Sequence, residues 1–271
     1  MDGFWLPGLK GRSMPKKLPP DSLSLSEFKT YFQRKECPIC QSCANKLERF
    51  YFWFIIESYY NPDMMEKLKK AQGFCREHTW KLIEAGSPYI TGVMYQYLTE
   101  DAKAKMEKCL AKIKSARGKP RRFFRRKRGD RDFQNVKGTF LCLSPCPACA
   151  SIEENTDRAI GEFLSILEEP GIKPLYKNSG GLCIQHFFRV FSQSDEAKAN
   201  FLLEDQIERV QKLNGELNRF LESYDYRYPK ERKGEEQSSW WRSAEFFAGK
   251  KSDPLSLLRR IKEGSKLSTL T

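Results

Sequence analysis

The chain contains only two histidines, and each follows a cysteine by three positions, in Cys75-Arg76-Glu77-His78 and Cys183-Ile184-Gln185-His186. Upstream of each stands a cysteine pair of the same spacing, Cys37-Pro38-Ile39-Cys40 and Cys146-Pro147-Ala148-Cys149. Thiolate sulfur and imidazole nitrogen are the donors that zinc takes tetrahedrally, and a CxxC turn places two sulfurs on one ion. A CxxH supplies the third sulfur and a nitrogen, which completes a Cys3His set. Joining each CxxC to the CxxH that next follows it gives one site at Cys37, Cys40, Cys75 and His78. The other is then Cys146, Cys149, Cys183 and His186. Four protein ligands leave no open position for substrate, so two structural zincs per chain are expected. Three thiolates around each Zn²⁺ would bring the formal net charge of +13 down to about +11.

Other readings of the same cysteines make different demands. Cys43 extends the first pair to Cys37-x-x-Cys40-x-x-Cys43, a thiolate triplet that would suit a redox or electron-transfer protein, with a cysteine-ligated iron–sulfur cluster or a thiol switch. The position matching Cys43 in the second set is Ile152, so the triplet is not shared. A CPxC pair also opens the active-site helix of thiol–disulfide oxidoreductases, where the helix end lowers the thiol pKa. That fold needs a βαβ core, and a redox dithiol gives no reason for the accompanying CxxH. Cys43, Cys109 and Cys142 individually read as small packed hydrophobes. No Gly-rich phosphate loop, paired-carboxylate motif or nucleophile elbow is present, and both imidazoles are assigned to metal. No catalysis is expected.

The elements that must position these ligands repeat. The CPxC pairs are offset by 109 residues and the CxxH pairs by 108, which reads as an internal duplication with one deletion. After Cys40, the residues Leu47, Phe50, Tyr51, Phe54 and Ile55 recur at helical spacing. After Cys149, Ile152, Ala159, Ile160, Phe163, Leu164 and Leu167 do the same. Asn61-Pro62 and Glu169-Pro170-Gly171 end these helices. A long amphipathic helix is predicted beyond each CxxH, the first from near Ser87-Pro88 and the second from near Ser194-Asp195. No alternating strand pattern occurs. The expected fold is all-α, two similar helical modules at 30–111 and 136–228, with an N-terminal extension at 1–29 and a C-terminal tail at 229–271. In that tail Trp240-Trp241 and Phe246-Phe247 are available to pack back on the modules.

Between the modules, the segment 112–135 carries the charge excess. Residues 112–132 hold 11 basic and 2 acidic side chains, against 20 of each sign in 133–271. Arg117, Lys119, Arg121, Arg122, Arg125, Arg126, Lys127 and Arg128 could neutralise phosphates while Phe123 and Phe124 stack on unpaired bases. RNA, ribosomal RNA included, or DNA is the partner this implies; a plain solvated linker is the other reading.

At 271 residues, 39% hydrophobic and 13% aromatic, with a mean hydropathy of −0.65, the chain can bury a core without disulfide staples. Its longest apolar run, Phe50 to Ile56, is far short of the roughly 20 residues a membrane-spanning helix needs. The first 22 residues have no apolar h-region, and unpaired cysteines suit a reducing compartment, so a cytoplasmic protein is expected.

The order CPIC, GFCxxH, CPxC, GLCxxH, followed by Tyr224-Asp225-Tyr226-Arg227-Tyr228 and Trp240-Trp241-Arg242-Ser243-Ala244, resembles a family of prokaryotic proteins known only as a domain of unknown function. The likeness spans about residues 30–250. It implies a bacterial or archaeal origin and a metal-binding core, and it brings no established activity. The arginine-rich linker is more basic than the resemblance implies.

Overall fold

The computed structural model describes residues 22–84, 88–117, 144–222, 224 and 234–249. Ten α-helices and two short 3-10 turns make up this part, and no strand occurs among the described residues. In chain order the helices are α1 (Ser22–Phe32), α2 (Pro38–Ile56), α3 (Pro62–Ala71), α4 (Arg76–Glu84), α5 (Pro88–Arg117), α6 (Pro147–Ile166), α7 (Ile172–Lys177), α8 (Ile184–Ser192), α9 (Glu196–Glu222) and α10 (Ser239–Ala248). None is long and apolar enough to cross a membrane.

Two compact units share these helices. Among the described residues, one joins 22–43 with 155–249 and the other runs from Ala44 to Glu154. The divisions fall inside α2 and α6. The CPxC end of α2 therefore belongs to the first unit and the rest of that helix to the second, while α6 starts in the second and finishes in the first.

In the first unit, Phe28, Tyr31 and Phe32 of α1 are buried with Phe163 of α6 and Tyr176 of α7. Edge contacts join Phe32 to Tyr176 at 5.9 Å and Phe163 to Tyr176 at 5.4 Å, the arrangement the ring quadrupoles favour. α1 thus crosses the expected start of the first module at residue 30. In the second unit, Leu47, Tyr51 and Phe54 of α2 pack with Met65 and Leu68 of α3, Leu82 of α4 and Met94 of α5. Phe74 is the hub, 5.2 Å from Phe54 and 6.0 Å from Phe50.

Local chemistry sets the helix ends. Asn61 caps α3, its Oδ1 accepting from the amides of Asp63 at 2.9 Å and Met64 at 3.2 Å, with Pro62 in the first helical position where its missing N–H costs nothing. Asp195 caps α9, accepting from the Lys198 amide at 3.0 Å. The helix after Pro88 runs further than the periodicity predicts: it continues to Arg117, so the first residues of the predicted linker are helical. Cys142 and positions 119–128 of the basic segment lie outside the described residues, as do Asp225–Tyr228. Within the tail, α10 packs on α8 and α9. Arg242 reaches Glu216 of α9 at 2.6 Å and Ser239 is fully buried, whereas Trp240 and Trp241 are about half exposed.

Candidate metal centres

Each of the four cysteine motifs opens a helix. Cys37, Cys75, Cys146 and Cys183 stand immediately before the first turns of α2, α4, α6 and α8. Their carbonyls accept the first helical bonds, from Gln41 at 3.1 Å, Thr79 at 2.8 Å, Ala150 at 2.9 Å and Phe187 at 2.8 Å. The second ligand of every motif is then the third helical residue. A spacing of three places cap and third-residue side chains on the same side of a helix start. Unbonded amides and the positive end of the helix dipole lie there too, and both favour thiolate.

The helix starts converge in pairs. In the first unit, the His186 Nδ1 lies 3.5 Å from the Cys37 Sγ, 3.3 Å from that of Cys40 and 3.2 Å from that of Cys183, with 3.7 Å between the Cys40 and Cys183 sulfurs. In the second unit, the His78 Nδ1 lies 3.1 Å from the Cys75 Sγ, 3.3 Å from Cys149 and 3.7 Å from Cys146, with 3.8 Å between Cys75 and Cys149. Within each set all four donor atoms lie within 4.8 Å of one another. A tetrahedral zinc with Zn–S near 2.3 Å and Zn–N near 2.0–2.1 Å has edges of about 3.8 Å between sulfurs and about 3.6 Å from sulfur to nitrogen. The donor sets fit one ion each.

All eight predicted ligands are thus brought together, but in the opposite pairing from the one that sequence order suggests. Cys37 and Cys40 join Cys183 and His186; Cys75 and His78 join Cys146 and Cys149. The reason is helix length. α2 has 19 residues and α6 has 20, and at 1.5 Å per residue each carries the chain about 30 Å away from its own CPxC before the following CxxH is reached. The CxxH left within reach of a CPxC is the one from the other half of the sequence.

The loops before the two CxxH motifs are built alike. Gly73 and Gly181 stand two residues before the cysteine with φ of +98° and +71°, a region other residues enter at a cost. The next residue, Phe74 or Leu182, is buried in the core of its unit. In the first unit the loop also touches the chain leading into Cys37. The Gly180 amide donates to the Arg34 carbonyl at 3.3 Å, and a Cβ on Gly180 would lie 2.3 Å from the Glu36 nitrogen.

Residues without a sequence signature of their own hold this loop. Arg209 of α9 pairs with the buried Asp205 at 2.6 Å and donates to the carbonyls of Ser179 at 2.7 Å, Tyr176 at 3.0 Å and Lys177 at 3.0 Å. Gln206 donates to the Leu182 carbonyl at 3.1 Å. A Cβ on Gly181 would meet the Arg209 side chain at 2.6 Å, so the glycine makes room for the guanidinium. In the second unit the corresponding anchor is Tyr51, whose hydroxyl donates to the His78 carbonyl at 2.9 Å. Arg209→Met should leave a buried carboxylate without its ion-pair partner and the Ser179 and Lys177 carbonyls without the guanidinium donor, at a cost of about 3–5 kcal/mol. Thermal melting should show this, and the first-unit site should bind metal more weakly while the second is unchanged.

Crowded thiols and an imidazole cannot all take their metal-binding charge unaided. Burial, then its sulfur neighbours, pushes the Cys37 thiol well up; the same causes raise Cys149 to about 12. Hydrogen bonds from Cys37 and Cys40 hold Cys183 far below an ordinary thiol. Burial favours neutral His186, but hydrogen bonds to Cys183, Cys40 and Cys43 outweigh it and raise the imidazole to about 11. His78 is lowered, chiefly by burial and then by Lys81. A divalent cation removes the conflict by stabilising thiolate and neutral imidazole together.

Fold and donor sets together define an all-α protein with two Cys3His centres suited to metal ions. Residues 27–254 match the Family of unknown function (DUF6062), and the chain belongs to that family. No curated protein and no solved structure matches the chain.

Proposed function

We propose that the protein is a non-catalytic zinc protein, a binding or scaffold module whose basic segment contacts RNA or DNA. The observation that carries the zinc reading is the pair of donor sets, each with four ligands at the spacing of a single tetrahedral ion. An iron–sulfur cluster drawing on Cys37, Cys40 and Cys43 is the alternative. The close approach of His186 to three of the sulfurs favours one ion over a polynuclear cluster. Nucleic-acid binding rests on the sequence of Lys112–Arg128, with its ten basic residues and no acidic one.

Elemental analysis of anaerobically purified protein tests the first half. About two zincs per chain and no visible absorbance are expected; brown protein carrying iron would overturn the reading. The second half is tested by replacing Arg121, Arg122, Arg125 and Arg126 with Gln and measuring RNA and DNA affinity at several salt concentrations. Binding should weaken and its salt dependence flatten, by a log–log slope of about 0.9 for each duplex phosphate no longer neutralised, with metal content unchanged. Wild-type protein that fails to bind at low salt would reduce the segment to a spacer.

A further inference from the structure

The two centres differ by one thiol. Cys43 stands one turn beyond Cys40 on α2, half-buried against the core of the first unit. Its Sγ lies 3.1 Å from the Thr156 hydroxyl. It is not among the four donors that converge on one point. In the second unit the same place, three residues after Cys149, is taken by Ile152, a residue packed against the core. Cys37 and Cys183 are buried, whereas Cys40 and Cys43 are both only partly buried. The less buried side of the first-unit site thus carries one ligand cysteine and one cysteine that is not a ligand.

We propose that Cys43 is a hydroperoxide-sensitive thiol whose oxidation discharges the metal held by Cys37, Cys40, Cys183 and His186. This rests on the zinc reading above. A thiolate bound to zinc is shielded by its metal, and Cys43 has none. A hydroperoxide oxidises the Cys43 thiol to sulfenic acid; its O–O bond breaks and the peroxide is reduced to water, or to an alcohol and no water for an organic one. The Cys40 sulfur, one helical turn away at the spacing of a CxxC pair, then attacks the sulfenic sulfur. An S–S bond forms, hydroxide leaves and takes a proton from solvent, and the Cys40 bond to zinc is lost. Two thiols and one peroxide thus yield one disulfide. Three ligands remain, and the ion is released. Among the described residues the second-unit site has no cysteine one turn beyond Cys149, where Ile152 stands, and so lacks this route.

The test uses the full-length, metal-loaded protein treated with hydrogen peroxide, with released zinc followed by a chromogenic chelator and disulfides mapped by mass spectrometry. One equivalent should leave early with a Cys40–Cys43 disulfide, and the second much later. Cys43→Ala should still bind two ions and release the first at least tenfold more slowly. Ile152→Cys should make the second site release its ion early as well, and this gain does not depend on how well Cys43→Ala folds. Equal release from wild type and Cys43→Ala, or a first disulfide that excludes Cys43, would overturn the proposal. Purified protein that contains no zinc would instead overturn the zinc reading, and the disulfide map would still report whether Cys43 reacts first.

Discussion

Replacing Cys37 and Cys183 together with Ser should cost the chain one metal equivalent, whereas replacing Cys37 and Cys75 together should cost two. The first pair belongs to one donor set and the second pair to both. Linear pairing of each CxxC with its following CxxH requires the reverse result, so two double variants and a metal count decide between them. The effect on folding should be large. A structural zinc contributes about 10–16 kcal/mol of apparent binding free energy at neutral pH, against a total domain stability of about 5–15 kcal/mol. In the first unit an ion held by the four donors would tie α2 to α8, elements 143 residues apart at Cys40 and Cys183. Without it, only core packing closes that loop. The Cys37/Cys183 variant should therefore lose helical circular dichroism from the first unit while amides of the second keep their hydrogen-exchange protection. The Cys37/Cys75 variant should lose both.

The ligands were legible because their chemistry is written in residue type and spacing. Cysteine at a helix cap, with cysteine or histidine three residues later, needs no tertiary knowledge to recognise. The all-α class was legible from the 3.6-residue period of Leu47 to Ile55 and of Ala159 to Leu167. Pairing was not. Cys40 to Cys75 and Cys149 to Cys183 are 35 and 34 residues apart, and either combination of CxxC and CxxH completes the same Cys3His set. What decides is how far α2 and α6 carry the chain before it turns, a property of helix length rather than of the motif. Arg209 was hidden for another reason. Asp205 and Arg209, four apart on a long amphipathic helix, read as an ordinary surface pair, and only the carbonyls of Tyr176, Lys177 and Ser179 show that the guanidinium is a clamp. The Gly180-Gly181 pair was visible in the sequence, but glycine alone does not say whether it serves a turn or a close approach.

Gly180→Ala separates those two uses. Gly180 has an ordinary φ, so an alanine there meets no backbone strain of its own. It meets the preceding chain instead: the new Cβ would lie 2.3 Å from the Glu36 nitrogen and 2.4 Å from the Lys35 carbonyl carbon. Both obstacles are backbone, so no side chain can swing aside, and the loop must move away from residues 34–36. Glu36 directly precedes Cys37, and Gly180 lies three residues before Cys183, so the movement parts the two halves of one donor set. Overpacking of this kind costs about 1–3 kcal/mol, which at about 1.4 kcal/mol per tenfold is roughly a five- to 150-fold loss of affinity at the first-unit site. Gly73→Ala is the matched comparison. Its Cβ would meet only the Leu98 side chain at 3.6 Å, and the cost there is the positive φ of +98°, about 1–2 kcal/mol, with no push on a neighbouring ligand. Cobalt titration against a competing chelator reads both sites. Gly180→Ala should give one normal and one weakened site; Gly73→Ala should lower the melting temperature with a smaller change in metal affinity. If Gly180→Ala binds two ions as tightly as wild type, the packing of Gly180 against residues 34–36 does not hold the donor set together.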